Sequence, residues 1–244
     1  MHLKLFTLPS DFRLFTASSI FQENIVGGAL VLKVNEIFFS IQGESSYAGW
    51  PCVFIRLTGC NLRCSYCDTV YAYEEGKEKT ITEILEEIKK FPCTLIEITG
   101  GEPLLQSDTP MLIETLLEKN YRVLLETNGS LDINRVSNQC VKIVDFKCPS
   151  SGMCQFNNLN NINYLTDQDE IKFIIGNRED FDYAKGVITL LKERSFLKRP
   201  VHFAPVFGKI KPGELAKWIL TEQVPVHLQL QIQKIIWPKK KRGI

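Results

Sequence analysis

Strand-like and helix-like segments alternate along most of this chain, and that alternation limits the folds open to it. Short apolar runs are separated by longer stretches with a helical period, which is the pattern of successive βαβ units. Such units build an α/β fold around a mostly parallel sheet. The strands are predicted at 52–59, 94–99, 121–127, 141–146, 170–175, 200–206 and 226–236, and the helices at 80–90, 109–120, 178–193 and 211–220.

About seven strands are too few for a complete eight-stranded barrel, so the sheet is either open or a barrel with a gap. In both arrangements the ligand site lies at the carboxyl ends of the strands. Three loops fall at strand ends of this kind: the cysteine-rich loop after 52–59, "TGGEP" at 99–103 and "ETNGS" at 126–130. We expect the three loops to converge on one site.

The cysteine-rich loop, "GCNLRCSYCDT", carries Cys60, Cys64 and Cys67 with the spacing C-x3-C-x2-C. Thiolates this close favour zinc or iron–sulfur chemistry, because both are thiophilic. A structural zinc site needs a fourth ligand, and none of the three histidines shows ligand spacing with another. A four-iron cluster held by three cysteines leaves one iron free to bind a small molecule. The iron–sulfur interpretation is favoured, with zinc and purely structural thiols as alternatives.

The charge balance and the cysteine distribution indicate the compartment and exclude some partners. Lysines and arginines number 29 against 28 aspartates and glutamates, so no overall field attracts nucleic acid or an anionic membrane. No apolar run approaches the roughly 18 residues of a membrane span. The start of the chain is a poor secretory signal, since Asp11 and Arg13 interrupt its apolar residues. We expect a cytoplasmic protein whose five other cysteines are mostly buried free thiols.

The chain divides into three parts by pattern. Residues 1–33 show no clean period and are either a frayed extension, which we favour, or a strand added to the main domain. Residues 34–238 carry the alternating elements and form the main domain. Residues 239–244 are a short basic tail, which is more often solvated than a binding site.

Two motifs together resemble the radical S-adenosylmethionine superfamily. The first is the cysteine loop, with the aromatic Tyr66 before its last cysteine, and the second is "ITGGEPLLQ" at 98–106. The resemblance implies a 4Fe–4S cluster whose open iron chelates S-adenosylmethionine and cleaves it to a 5′-deoxyadenosyl radical. It also implies an incomplete TIM-like (β/α) barrel. Gly100 and Gly101 allow a close backbone approach to the ligand, and Glu102 is able to receive an ammonium group.

The flanking sequences resemble the 7-carboxy-7-deazaguanine synthase family within that superfamily. They are "NEIFFSIQGES" at 35–45, "FIRLTGCNLRCSYCDT" at 54–69, "ETNGS" at 126–130 and "DFKCPSSGM" at 145–153. The resemblance implies a lyase that converts 6-carboxy-5,6,7,8-tetrahydropterin to 7-carboxy-7-deazaguanine with loss of ammonia, on the route to queuosine and other deazapurines. It further implies a magnesium ion, a homodimer and a one-electron reductant such as flavodoxin or ferredoxin.

The same resemblance assigns site residues by position. The implied substrate contacts are Ile41, Gln42, Gly43, Arg56, Thr99 and Pro238. The implied S-adenosylmethionine contacts are Tyr66, Cys67, Asp68, Gly100, Gly101, Glu102, Asn128, Cys148, Pro149, Ser150 and Lys172. The implied metal ligands are Cys60, Cys64 and Cys67 for the cluster and Thr69 for magnesium. No catalytic acid or base is assigned.

Several of these residues have an alternative interpretation from the sequence alone. Arg56, near a strand end, suits a bidentate contact with a substrate carboxylate, but a surface ion pair is the alternative. Thr69 is either a weak magnesium ligand or a turn cap. Period two places Glu97 and Thr99 on one face of their strand, which predicts a ligand-lined interior for Thr99 and leaves Glu97 undecided. The glutamines in 226–236 line either a cavity or, as we favour, a half-exposed edge strand.

Two rival functions fit part of this pattern. A glycyl-radical enzyme activase shares the three-cysteine loop, but "SIQGES", Thr69 and the lack of a second cysteine cluster argue against it. A non-catalytic zinc-binding protein would use the thiols alone. Activity on a carboxypterin separates the first rival from the synthase, and iron and sulfide analysis separates the second.

Overall fold

The computed structural model of the chain describes residues 30–193, 199–237 and 242–243. Nine strands and five α-helices are formed there. The strands are β1 (Val31–Ile41), β2 (Pro51–Leu57), β3 (Lys77–Thr80), β4 (Leu95–Gly100), β5 (Arg122–Thr127), β6 (Val141–Phe146), β7 (Glu170–Ile175), β8 (Val201–Pro205) and β9 (His227–Leu228). The helices are α1 (Ile81–Ile88), α2 (Thr109–Glu118), α3 (Arg178–Glu193), α4 (Pro212–Thr221) and α5 (Ile232–Ile236).

All nine strands belong to one sheet, in the order β3-β1-β2-β4-β5-β6-β7-β8-β9. In the part of the sheet that runs β2-β4-β5-β6-β7-β8-β9, every neighbouring pair is parallel. At the other edge, β1 is antiparallel to both of its neighbours, β2 and β3. The two edge strands, β3 and β9, are not paired with each other, so the sheet does not close. The predicted incomplete, mostly parallel barrel is confirmed.

The sequence missed two strands at one edge, β1 and β3. The strand β1 begins at Val31, which pairs with Thr80 of β3, so residues 31–33 lie in the sheet. For these three residues the structure has the alternative, a strand added to the main domain. The rest of the predicted extension, residues 1–29, lies outside the described residues.

The prediction of one long strand at 226–236 is wrong. Only His227 and Leu228 pair with β8, and the chain then turns into α5. The turn is held from outside the segment, because Ile232 donates its backbone N–H to the carbonyl of Gly43 at 3.1 Å. The alternation of glutamine with apolar residues mimics a strand, but these tertiary contacts override it.

The core lies between the sheet and the helices outside it. Ile84, Leu85 and Ile88 form the buried face of α1, whose start is closed by a reciprocal capping box between Thr80 and Glu83. The strand β4 alternates, with Ile96 and Ile98 packed in this core. Each fully buried side chain of that size stabilises the fold by about 1.5–3 kcal/mol. The other face of β4 is free to line the barrel interior.

No helix in the described ranges combines the length and apolar character that a membrane crossing requires.

Candidate functional site

A cavity of about 990 Å³ occupies the inside of the incomplete barrel. Most of the residues predicted from the sequence line it, although they come from loops and strands far apart in the chain. Those residues are Ile41, Gln42, Gly43, Arg56, Cys60, Cys64, Tyr66, Cys67, Asp68, Thr69, Thr99, Gly100, Gly101, Asn128 and Lys172. The expected convergence of the three loops is thus found, since all three contribute to its wall.

Four predicted residues, Glu102, Cys148, Pro149 and Ser150, do not line the cavity. A fifth, Pro238, lies outside the described residues.

The three cysteines of the loop are free thiols and line the same cavity. Cys60 Sγ accepts the backbone N–H of Leu62 at 3.4 Å and the side-chain amide of Asn128 at 3.9 Å, which are the N–H···S contacts that stabilise a metal-bound sulfur. Burial raises the pKa of the Cys60 and Cys64 thiols, so both are protonated at neutral pH and lose a proton on binding metal.

The cysteine set fits an iron–sulfur cluster by residue type. Within the described ranges no three His, Cys, Asp or Glu side chains surround a common metal position. A cluster with one vacant iron requires three soft sulfur donors and open space beside the vacant iron. The three thiols, the N–H donors to Cys60 and the adjacent cavity meet that requirement.

The Gly100–Gly101 turn packs against the cysteine loop. A Cβ at Gly100 would lie 2.2 Å from the carbonyl oxygen of Leu57, and one at Gly101 would lie 2.1 Å from that of Gly59. Gly100 also has φ +151°, which few other residues adopt. The backbones of the two loops pack so closely that a side chain does not fit at position 100 or 101, which explains both glycines. The same packing brings their peptide groups to the cavity wall.

Glu102 is fully buried behind that turn. Its carboxylate accepts the backbone N–H of Leu104 at 2.9 Å, that of Asn128 at 2.7 Å and the hydroxyl of Thr127 at 2.9 Å. Burial raises its pKa, and the hydrogen bond from Asn128 partly offsets that. The structure thus places Glu102 as the group that fastens the end of β5 to the glycine turn.

The segment after β6 supports the cysteine loop from behind. Ser65 donates from its backbone to Ser151 at 3.0 Å and from its hydroxyl to the carbonyl of Ser150 at 2.7 Å. Ser150 donates its own N–H to Asp180 at 2.8 Å, and Cys148 is fully buried. These contacts tie the segment to the loop.

Thr69 and Asp68 lie together at the cavity opening. The Thr69 hydroxyl donates to Asp68 Oδ1 at 3.0 Å, and Asp68 Oδ2 is 2.5 Å from Lys234 Nζ on α5. Arg242, from the segment predicted to be a solvated tail, also lines the cavity and pairs with Glu75 at 2.8 Å. Lys234 and Arg242 therefore both contribute to the cavity wall.

Arg56 forms part of the cavity wall rather than a surface ion pair. Its Nε donates to Glu36 at 2.8 Å, its side chain is 13% exposed, and its guanidinium lies 5.6 Å from the ring centre of Phe38. Burial alone would lower the Arg56 pKa, but Tyr71 and Glu36 more than offset this and the pKa is raised. The guanidinium stays charged, and its other N–H groups are suited to a ligand carboxylate.

Sequence reasoning missed three acidic residues in the cavity, Glu44, Glu126 and Asp145. Glu44 and Glu126 both pair with Lys172: Glu44 Oε2 lies 3.0 Å from Lys172 Nζ, and Glu126 contacts the same ammonium group. Asp145 Oδ2 is 3.8 Å from it. Burial would lower the Lys172 pKa, but these carboxylates raise it well above its usual value, so Lys172 stays cationic. Glu44 and Glu126 lie within two quoted motifs, "QGES" and "ETNGS", which was the available signal.

Glu44 also binds the segment that carries Gln231 and Gln233. Its Oε1 accepts the side-chain amides of Gln231 and Gln233, both at 2.9 Å. Burial raises the pKa of Glu44, but Lys172 and these hydrogen bonds lower it to about 2. Gln231 and Gln233 line the cavity, so for these two residues the cavity interpretation is right and the edge-strand interpretation is wrong.

Period two along β4 places Glu97 and Thr99 as expected, since both line the cavity. Glu97 is 2% exposed and accepts a hydrogen bond from the side-chain amide of Gln42. Burial, followed by the nearby Glu126, raises the Glu97 pKa well above its usual value. The sequence left the position of Glu97 open, and the structure places it as a buried residue of the cavity wall.

Comparison with known proteins agrees with this architecture. Residues 54–219 match the family model described as the Radical SAM superfamily. The chain is 43% identical over 219 residues to 7-carboxy-7-deazaguanine synthase of Chlorobaculum tepidum, covering 87% of this chain and 97% of that protein. It is 40% identical over 227 residues to the protein of the same name from Koribacter versatilis, covering 87% and 100%. The fold is similar to the crystal structure of QueE from Escherichia coli, with TM-score 0.67, 21% identity, and 84% and 95% of the two chains covered.

Proposed function

The chain belongs to the radical SAM superfamily and, within it, to the 7-carboxy-7-deazaguanine synthases, and we propose that its cavity converts 6-carboxy-5,6,7,8-tetrahydropterin to 7-carboxy-7-deazaguanine with loss of ammonia. It is a lyase of deazapurine biosynthesis that uses a 4Fe–4S cluster and S-adenosylmethionine. The observation that carries the proposed reaction is a buried, cationic Arg56 in the same cavity as Cys60, Cys64 and Cys67. That arrangement brings a carboxylate receptor and a cluster site into one chamber.

Cys60, Cys64 and Cys67 would hold the cluster at the opening of the cavity. When bound and reduced by one electron, the cluster with its S-adenosylmethionine supplies a 5′-deoxyadenosyl radical for hydrogen abstraction. The contribution of the chain is to position the reactants and exclude water. The backbone of Gly100 and Gly101, which the packing of the turn brings to the wall, would receive the methionine part of S-adenosylmethionine.

The interior of the cavity suits a heterocycle that carries an acid group. Arg56 would bind the carboxylate, since its guanidinium is buried and uses only Nε for Glu36. Gln42 and Thr99 line the same space and offer amide and hydroxyl contacts. Glu44 and Glu126 supply ionised oxygens for the N–H groups of the pterin ring, because a carboxylate is an acceptor only.

A magnesium ion belongs to the proposal as well. The Thr69 hydroxyl and Asp68 form the oxygen-rich part of the opening, and the substrate carboxylate and water would complete the coordination shell. A hydroxyl is a weak magnesium ligand, so the ion would bind tightly only together with the substrate.

We also propose a cytoplasmic homodimer that receives its electron from flavodoxin or ferredoxin. Eight free cysteines among the described residues suit a reducing compartment. Trp50, 63% exposed, and Phe39, 41% exposed, provide apolar surface beside the β1–β2 turn for pairing of two chains. The relatives are synthases by name, which favours this function over a glycyl-radical activase, and membership of an enzyme family argues against a non-catalytic zinc protein.

The test is an anaerobic assay of the reconstituted protein with dithionite, S-adenosylmethionine, magnesium and 6-carboxy-tetrahydropterin. Formation of 7-carboxy-7-deazaguanine and ammonia, followed by mass spectrometry, supports the proposal. Free 5′-deoxyadenosine without that product, from protein that carries its cluster, would mean that the substrate is a different one.

A further inference from the structure

Glu97 is a buried acid for which the function above gives no role. It lies on β4 with its side chain 2% exposed and lines the cavity. Among the described residues its carboxyl group has one hydrogen-bond partner, the side-chain amide of Gln42 on the loop after β1. Burying a carboxyl group with so few partners is costly, so its presence in the chamber calls for a physical account.

The hydrogen bonds of Gln42 fix where a proton on Glu97 must lie. The backbone N–H of Glu44 donates to Gln42 Oε1 at 2.8 Å. A backbone N–H can only donate, so the carbonyl oxygen of the Gln42 amide must face it and the NH2 group must face Glu97. Glu97 Oε2 is therefore an acceptor. If Glu97 is protonated, the proton is on Oε1, the oxygen that Gln42 does not use.

The surroundings keep Glu97 protonated. Burial is the largest cause of its raised pKa, and the next is Glu126. The charged and titratable groups that act on it come from four elements: Glu44 after β1, Arg56 and Cys52 on β2, Glu126 on β5 and Lys172 on β7. Lys172 and Arg56 act to lower the pKa of Glu97, but burial and Glu126 outweigh them, and Lys172 is already paired with Glu44 and Glu126.

We propose that Glu97, as a neutral carboxylic acid, fixes the amide of Gln42 and donates a hydrogen bond from Oε1 to the carbonyl oxygen or an unprotonated ring nitrogen of the heterocyclic substrate. The proposal rests on the proposed function and adds a residue that sets substrate specificity. Glu44, Glu126 and Asp145 are acceptors for the N–H groups of a pyrimidinone ring. Such a ring also carries acceptors, and a neutral acid among carboxylates is the donor that they need. No covalent bond is made or broken in this contact.

The decisive experiment compares Glu97→Gln with Glu97→Leu in the reconstituted enzyme. A glutamine is able to accept from Gln42 through its carbonyl oxygen and to donate through its NH2 group, so it imitates the protonated acid. Leucine of similar size does neither and leaves the Gln42 amide without its partner. We expect Glu97→Leu to raise the KM for the carboxypterin on the order of tenfold or more, and Glu97→Gln to recover most of that loss.

The pH dependence adds a readout that a merely structural role would not move. In the wild type the donor is present below the raised pKa of Glu97 and is lost as the pH rises through it, so the KM should increase at the alkaline end. Glu97→Gln should remove that alkaline increase. If Glu97→Gln raises the KM as much as Glu97→Leu does, the residue acts as an ionised acceptor and the proposal is wrong.

Three controls separate this inference from other failures. The iron content and the midpoint of thermal unfolding of each variant show whether a lost activity reflects a misfolded chain. Glu118→Gln, at an exposed residue of α2, should leave the KM unchanged. Wild-type turnover tests the proposed function itself: with no carboxypterin turnover both proposals are overturned, whereas turnover with equal loss in both Glu97 variants overturns only this one.

Discussion

Lys172 Nζ lies 3.0 Å from Glu44 Oε2, and the two residues are 128 positions apart in the chain. The contact joins β7 to the loop after β1 across the barrel interior. Lys172 is the cation that Glu44 and Glu126 share, so its removal leaves their carboxylates without it in a largely buried site, and that costs far more than the loss of a surface ion pair. This part of the cavity wall therefore depends on Lys172 and its carboxylate partners being present together.

This pair gives the first prediction, which concerns stability against pH. The pKa of Glu44 falls from 4.5 to about 2 in the folded chain, so its ionised form stabilises the fold. The sign follows from linkage: the stabilisation is complete above the unfolded pKa of 4.5 and is lost as the pH falls towards 2. Glu44→Gln should flatten the unfolding free energy between these pH values, as measured by urea unfolding. The matched control Glu118→Gln, at an exposed residue of α2, should keep the wild-type slope. A wild-type slope in Glu44→Gln would contradict the assignment.

The second prediction concerns the cluster. Cys64→Ala should abolish product formation and reduce the bound iron, because two thiolates do not hold a four-iron cluster in place of three. Cys93→Ser is the matched control, since the Cys93 thiol contacts the backbone carbonyl of Pro51 at 3.2 Å and not the cavity. Iron and sulfide analysis after anaerobic reconstitution provides the measurement. Full turnover by Cys64→Ala would remove this cysteine from the cluster.

Arg56 gives the third prediction. Arg56→Ala should raise the KM for the carboxypterin by roughly 10- to 100-fold, since charged hydrogen bonds contribute about 1.5–3 kcal/mol. Arg56→Lys should restore only part of the affinity, because a lysine lacks the planar fork. Arg122→Ala, an exposed arginine that donates to the hydroxyl of Tyr47, serves as the control and should keep the wild-type KM. An unchanged KM in Arg56→Ala would place the carboxylate elsewhere in the cavity.

The fourth prediction tests the magnesium proposal. Thr69→Ala removes the hydroxyl that lies against Asp68, so the stimulation of turnover by added magnesium should weaken. Initial rates across a magnesium titration at fixed substrate give the measurement. Thr115→Ala, on the exposed side of α2, removes a hydroxyl that contacts the backbone of Met111 and should leave the titration curve as it is. Identical curves for wild type and Thr69→Ala would exclude Thr69 from the site.

Local patterns predicted the parts of this molecule that local physics determines. Period two along β4 predicted that Glu97 and Thr99 share an inward face, because side chains alternate on any strand. The spacing of Cys60, Cys64 and Cys67 predicted a shared thiol site for the same kind of reason. Glu97, Thr99 and the three cysteines all line the cavity, while a metal site shared by the thiols stays a prediction.

Features that depend on contacts between distant parts of the chain could not be predicted from local sequence patterns. The pairing of Lys172 with Glu44 depends on how a barrel brings distant segments together, and no period in the sequence encodes it. The strand prediction for 226–236 was wrong for a related reason. Gln231 and Gln233 donate hydrogen bonds to Glu44, and the chain leaves the sheet edge there. The resemblance to the family predicted Lys172 as a site residue. Its carboxylate partners, Glu44 and Glu126, became evident only from the fold.

The measurement that tests the central claim most directly is turnover of 6-carboxy-tetrahydropterin deuterated at C6. Hydrogen abstraction at that carbon inside this cavity predicts deuterium in 5′-deoxyadenosine and in recovered S-adenosylmethionine, together with 7-carboxy-7-deazaguanine and little net loss of S-adenosylmethionine. Product formed with no deuterium in either adenosyl compound, or labelled 5′-deoxyadenosine accumulating in proportion to S-adenosylmethionine consumed, would contradict the account.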